Sequence, residues 1–228
     1  MDRRAARAAL VEGWPIFVTA LVVGVPFGIA ARAAGLDAIH AAGMSLLIFA
    51  GAAQFAAVDL IGRGAAAPLV VVTVLLVNLR HLLMAAALRP YVAGRSVAER
   101  AAIAYLLTDE AFAMGIGWFR RGHREVAYYV VFGAALWLSW NVATIAGALA
   151  GAGIVEPRRF GLDFAITATF VSIVVLGLRG RADLLVGALA LAAAGALALA
   201  GASVLAVVAA GALAPLAVFA FPRRRDQT

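Results

Sequence analysis

Long apolar runs separated by short polar breaks dominate this chain. They show neither the strict alternation of a half-buried strand nor the single apolar stripe of a surface helix. Eight runs stand out, at 14–34, 41–61, 67–88, 101–118, 126–152, 160–178, 183–200 and 203–221. Each approaches the roughly 20 apolar residues that a transmembrane helix needs. The pattern predicts an all-α, polytopic integral membrane protein with about eight hydrophobic segments in a single membrane domain over 1–228. The first run follows Arg3, Arg4 and Arg7 and resembles a secretory leader, with Ala31-Arg32-Ala33 imitating a cleavage site. From Trp14 to Ala31 it is too long for an ordinary leader core, and further spans follow. It reads as the first transmembrane helix.

The polar breaks carry topology. Positive charge collects on the cytoplasmic side of membrane proteins. With a cytoplasmic N-terminus, simple alternation puts Arg63, the cluster Arg120-Arg121-Gly122-His123-Arg124, Arg179 with Arg181, and Arg223 to Arg225 inside. The break with Asp37 and His40, and the uncharged Gly201-Ala202, fall outside. Both termini are then cytoplasmic. One break disobeys: 89–100 holds Arg89, Arg95 and Arg100, yet counting places it outside. If 67–88 and 101–118 each re-enter instead of crossing, 89–100 stays inside. Both versions stay open.

A faint repeat runs at an offset of 118 positions. Gly35, Gly43, Gly62 and Arg63 map onto Gly153, Gly161, Gly180 and Arg181. A duplication would give a four-plus-four plan with halves near 1–118 and 126–221, in the same orientation, with a site between them.

Composition narrows the classes. Of 228 residues, 65% are hydrophobic and 14% charged, which excludes an ordinary soluble domain. The net charge is +7, and all 19 basic residues are Arg. Almost no solvated surface remains to carry a nucleic-acid stripe, so the excess is topological. Cysteine is absent, which removes disulfides and thiolate metal sites. The three histidines, His40, His81 and His123, form no ligand motif. No cofactor, no metal and no nucleic-acid partner is expected; the partner implied by composition is the lipid bilayer.

Polar groups inside the apolar runs are the candidate chemistry. Gly24-Val25-Pro26-Phe27-Gly28 lies in mid-run, where Pro26 removes a backbone donor. It predicts either a broken helix whose freed backbone groups bind substrate, or a packed proline kink. Gln54 is too deep to reach water and needs a partner, another helix or a ligand. Asp59 and Arg63 are spaced for an i, i+4 pair. Asn78, Arg80 and His81 interrupt the third run. A charge at mid-bilayer costs about 2.5–3.5 kcal/mol even on the lenient insertion scale, so Arg80 faces an acid or a cavity, unless the helix stops near Asn78 and Arg80 sits at the interface. Thr108-Asp109-Glu110 in the fourth run supplies acids: one to neutralise Arg80, the other to take a proton, with Thr108 or Asp109 a helix N-cap. Trp137, Ser139, Trp140, Asn141 and Thr144 form either a polar lining or an aromatic belt with a capped end.

Read together, five blocks in order resemble the AzlC (YgaZ-like) family of branched-chain amino acid exporters. They are Gly24 to Gly28; Met44-Ser45 through Phe49-Ala50-Gly51-Ala52-Ala53-Gln54-Phe55; Asn78-Leu79-Arg80-His81; Leu107-Thr108-Asp109-Glu110-Ala111-Phe112; and Phe160-Gly161-Leu162-Asp163-Phe164-Ala165. The resemblance implies export of leucine-like amino acids across the bacterial inner membrane and a small membrane partner of the AzlD (YgaH) kind.

The leading reading is therefore a secondary exporter, not an enzyme. A zwitterion needs a cation for its carboxylate, which Arg80 or helix amides supply, and an acceptor for its ammonium, which Asp109 or Glu110 supplies. No GxxxxGK[ST] motif is present to use nucleotide. The expected substrate-binding or coupling residues are Gly24, Pro26, Phe27, Gly28, Gln54, Asn78, Arg80, His81, Asp109, Glu110, Trp140 and Asn141. Two other readings stand beside it: a noncatalytic membrane subunit of a larger complex, with these polar groups as interface glue, and an intramembrane lipid-modifying enzyme, for which no nucleophile–base pair is visible.

Overall fold

The computed structural model describes residues 2–153 and 181–200. Among them every regular element is helical: α1 (Arg3–Ala33), α2 (Ala38–Ile48), α3 (Gly51–Gly62), α4 (Ala67–Asn78), α5 (Arg80–Val92), α6 (Val97–Tyr105), α7 (Asp109–Arg120), α8 (Val126–Gly151) and α9 (Arg181–Leu199). Two units, Met1–Ile166 and Thr167–Thr228, divide the chain. In the second, the described part is α9, a 19-residue helix. The expected segments 160–178 and 203–221, the block around Asp163 and the arginine tail lie outside the described residues. The first unit holds α1 to α8.

Three helical runs in this unit are long and apolar enough to cross a membrane: α1, α4 with α5 as one run Ala67–Val92, and α8. The run Ala67–Val92 has 26 residues. At about 1.5 Å per residue it reaches about 39 Å, more than a hydrocarbon core of about 30 Å. The single residue Leu79 interrupts it, and its N–H bonds back to the Leu76 carbonyl in a tightened turn. The direction of travel continues.

Helices α1 and α8 are parallel neighbours in close contact. Gly13 lies against Phe132, Gly24 against Ala143 and Gly151 against Arg32, a constant register of 119 positions. Contact this close needs residues without a Cβ. One added at Gly24 would sit 2.7 Å from that of Ala143, and one at Gly28 would fall on the backbone of Thr144 and Ala148. Lipid offers helices no hydrophobic push, so small residues that let backbones approach supply the packing.

The remaining elements form two hairpins. α2 starts beside the C-terminal end of α1, where Asp37 caps it through the His40 N–H. That bond and the His40 ring hold the Asp37 carboxyl below its usual range. The chain then reverses at Phe49, whose φ of 39° is left-handed, and at extended Ala50. α3 travels back until Gly62 lies beside Ala34. Neither arm is long enough to cross, at 11 and 12 residues. The second hairpin enters from the other end. α6 follows α8 inward, with Ile103 accepting from the Tyr129 hydroxyl and Leu106 against Gly133. The chain turns at 106–108, and α7 runs out again parallel to α5, from Asp109 beside Arg80 to Phe119 stacked on Tyr91. Its far end meets the start of α1, where Arg121 and the Tyr128 hydroxyl both bind the Glu12 carboxylate.

These contacts revise the expected topology. Run 41–61 folds back on itself as α2 and α3, run 67–88 is part of one continuous run long and apolar enough to cross, and run 101–118 folds back as α6 and α7. Arg63 therefore lies at the C-terminal end of α1 and not at its N-terminal end; Asp59 pairs with it as expected, at 2.9 Å. Segment 89–100 moves to the N-terminal end of α1. The disobedient break then disappears. Among the described residues of the first unit, Arg3, Arg4, Arg7, Arg89, Arg95, Arg100, Arg120, Arg121 and Arg124 lie at the N-terminal end of α1, against Arg32 and Arg63 at its C-terminal end.

Candidate functional site

The hairpin tips meet at mid-depth, and most of the expected residues gather around that level. Helix α1 is unbroken through Pro26, so of the two alternatives at 24–28 the broken helix does not hold. Gly24 and Gly28 serve the contact with α8. The true interruptions are at Phe49-Ala50, at Leu79 and at Leu106-Leu107-Thr108.

A buried polar chain ties the first hairpin to α8. The Thr144 and Ser45 hydroxyls lie 2.8 Å apart, Gln54 Nε2 donates to Ser45 Oγ at 2.9 Å, and Trp140 Nε1 donates to Gln54 Oε1 at 3.0 Å. Ser45, Gln54 and Thr144 are each 0% exposed. Every side-chain polar group in this chain of bonds has a partner, which is what makes burial of such groups tolerable. Trp140 stacks on Phe27 at 5.8 Å, and Phe27 meets Phe55 edge-on at 5.3 Å. The Trp140 ring also lies over Gly51, the first residue of α3. So the partner that Gln54 requires is a pair of side chains, and Phe27 and Trp140 are the apolar walls of that pair.

The charged pair sits on the other side of the tips. Arg80 opens α5 and Asp109 opens α7, and their side chains meet at 2.8 Å. Arg80 stands midway along the continuous run Ala67–Val92. Thr108 caps α7, accepting from the Ala111 N–H at 3.2 Å. Asp109 and Glu110 occupy its first turn, where the positive end of the helix dipole favours an acid. Arg80 at a helix start is the opposite case and depends on Asp109. The pair is half-buried, with Arg80 41% and Asp109 49% exposed, so it remains open to a ligand or to water. Glu110 is exposed and makes no salt bridge among the described residues. His81 Nδ1 lies 3.1 Å from the Asn78 carbonyl. A histidine N–H there would satisfy a carbonyl freed by the turn at Leu79.

Among the described residues, five buried side-chain polar atoms have no hydrogen-bond partner, and three of them, Asn78 Oδ1, Arg80 Nε and Asn141 Oδ1, belong to expected site residues; the others are Arg32 Nε and Trp118 Nε1. Asn141 uses only its Nδ2, donating to the Trp137 carbonyl at 2.9 Å. Buried orphans are rare enough to demand an explanation.

Tyr105 is the residue that sequence reasoning missed. Its hydroxyl donates to the Leu46 carbonyl of α2 and accepts from Trp137 Nε1 at 2.7 Å. Its ring lies 6.5 Å from that of Phe49. The one available signal was a hydroxyl inside an apolar run immediately before the Leu106-Leu107-Thr108 break.

Comparison with known proteins identifies the family. The AzlC protein family model matches residues 15–154. The chain is 29% identical over 190 residues to the inner membrane protein YgaZ of Escherichia coli, covering 78% of each chain. It is 28% identical over 173 residues to the branched-chain amino acid transport protein AzlC of Bacillus subtilis, covering 75% of this chain and 67% of the relative. An uncharacterized membrane protein of Archaeoglobus fulgidus is 30% identical over 191 residues, covering 82% of this chain and 83% of the relative. No solved structure matches. The matched stretch contains both hairpins, the buried polar chain and the Arg80–Asp109 pair, and the chain belongs to the AzlC family.

Proposed function

We propose that this protein is a secondary transporter that exports branched-chain, leucine-like amino acids across the bacterial inner membrane. Family membership supports a membrane transport role, and the name of the Bacillus subtilis relative supports the substrate class. The observation that carries the reading is the meeting of two oppositely entering hairpins beside a half-exposed Arg80–Asp109 pair. Irregular backbone at membrane depth survives only where protein or a water-filled cavity covers it. Broken helices of this kind are where carriers bind their cargo.

The chemistry suits a zwitterion. The Arg80 guanidinium takes the substrate carboxylate, displacing part of its bond to Asp109. Asp109 or Glu110 takes the ammonium. The orphaned Asn78 and Asn141 amide oxygens offer further acceptors. Apolar residues around the tips accept an isobutyl-type side chain. Gln54, His81, Trp140 and Phe27 hold the surrounding backbone in place, and Pro26 with Gly24 and Gly28 shapes α1 behind them. Placing the nine-arginine side in the cytoplasm satisfies the positive-inside rule and makes the N-terminus cytoplasmic; the arginine tail suggests the same for the C-terminus. A small membrane protein of the AzlD (YgaH) kind is the proposed partner. The constant register of α1 on α8, one position from the repeat offset, supports a duplicated plan whose second half starts at α8.

Reconstitution tests this. Vesicles carrying the protein, with and without the small partner, are loaded with unlabelled leucine and supplied with labelled leucine outside. Counterflow above protein-free vesicles is expected. No uptake with either preparation, for leucine, isoleucine and valine alike, would refute the reading.

A further inference from the structure

We infer that the Tyr105 hydroxyl is the latch between the two hairpins, and that this bond must break for a path through the protein to open. The inference rests on the transport reading above, and Tyr105 acts in it as a positioning residue. An α-helix leaves its last four carbonyls without intrahelical donors. For α2 these are Ser45, Leu46, Leu47 and Ile48, and Leu46 lies at an exposed edge, 42% exposed. Tyr105, from the opposite hairpin, donates to Leu46. A tyrosine hydroxyl has one proton to give, and this one is spent there; its acceptor capacity is used by Trp137 of α8. One oxygen therefore joins α2, α6 and α8, while Phe49 and Tyr105 close the apolar side of the contact.

The physical consequence is a cost on separating the tips. Separating the tips strips the Leu46 carbonyl of its donor. The bond lies at an exposed edge, with Tyr105 45% exposed; where a bilayer covers that edge, lipid offers the carbonyl no replacement donor. The closed latch thus holds the two hairpin tips together, and opening it separates them. Losing one such bond is worth about tenfold in the equilibrium between closed and open, since a factor of ten corresponds to about 1.4 kcal/mol.

The chain contains no cysteine, so a single introduced thiol reports without interference. Ala50→Cys places one at the first tip and Leu107→Cys one at the second, both at buried positions. Each is made with Tyr105 intact, with Tyr105→Phe and with Trp137→Phe, in the full chain in vesicles. A membrane-impermeant maleimide is applied from either side. With Tyr105 intact, slow labelling is expected. Tyr105→Phe is expected to raise the rate about tenfold at both reporters and from both sides, with Trp137→Phe intermediate. A Tyr105→Phe rate within twofold of the parent at both reporters overturns the latch. So does a faster rate accompanied by general loss of thermal stability, because Tyr105 then only supports the fold. Leucine counterflow by the unsubstituted protein is measured in the same vesicles. Its failure would remove the transport reading, while the labelling ratio still decides the latch.

Discussion

Gln54 reaches back across the Phe49–Ala50 turn to the hydroxyl of Ser45, 2.9 Å away, and closes the first hairpin four residues on either side of its tip. Because Gln54 also accepts from Trp140, its removal orphans an indole N–H in a dry site. Gln54→Ala is expected to cost about 1–3 kcal/mol. That corresponds to a fall in Tm of about 2–12 °C for a chain of this size. Thr144→Val removes one hydroxyl and leaves Ser45 its bond to Gln54; its cost should be nearer the average for bonds between membrane helices, about 0.6 kcal/mol. Thermal denaturation in detergent ranks the two, and a Thr144→Val loss as large as that of Gln54→Ala contradicts the assignment.

Within α1, Pro26 and Gly28 should behave oppositely to what a broken helix would require. The helix is continuous, so Pro26→Ala only restores one backbone bond. Its effect on export should stay within about twofold. Gly28→Ala forces a methyl into the backbone of α8. Overpacking of that kind costs about 1–3 kcal/mol or more, and membrane-inserted yield should collapse. Normal yield and export from Gly28→Ala would show that α1 and α8 pack more loosely than these distances require.

Reporter fusions separate the re-entrant topology from simple alternation. Gly64 follows the first hairpin and Gly94 follows the α4–α5 span. With a cytoplasmic N-terminus, an enzyme that works only in the periplasm should be active at Gly64 and silent at Gly94. Eight alternating crossings give the reverse at both sites. The same fusion at Thr228 should be silent, and activity there would put the C-terminus outside.

Much of this was legible from residue types. The apolar runs locate α1, α8, the α4–α5 span and the position of α9. The need of Arg80 for an acid leads to Asp109, the spacing of Asp59 and Arg63 leads to their bond, and Thr108 caps as its residue type suggests. Direction of travel was not legible. Two half-helices joined by an apolar turn have the same pattern as one span, and Phe49 is not a residue whose type announces a positive φ. Gly24 and Gly28 were ambiguous for a related reason: a glycine that frees the backbone and a glycine that admits a neighbouring helix are the same letter. Tyr105 and Leu46 are 59 positions apart, and their contact exists only once the two hairpins have been folded against each other.

The Arg80–Asp109 pair gives the most decisive test of the proposed site. Both groups stand at helix starts at mid-depth, where an unpaired charge costs about 2.5–3.5 kcal/mol on the insertion scale. Their partial exposure lowers the worth of the bond, so its removal is a matter of function more than of stability. Arg80→Ala leaves Asp109 unpaired and should abolish leucine export, with reduced protein level. Breaking one side of such a pair hurts more than replacing both, so Arg80→Leu combined with Asp109→Asn should recover protein level. Transport should not recover, because the cation for the substrate carboxylate is gone. Glu110→Gln breaks no bond among the described residues and should leave protein level unchanged; a loss of export would assign Glu110 to the substrate ammonium or to a proton. Export at the unsubstituted rate by the Arg80→Leu, Asp109→Asn protein would make the pair structural, and the proposed site would then have to lie elsewhere.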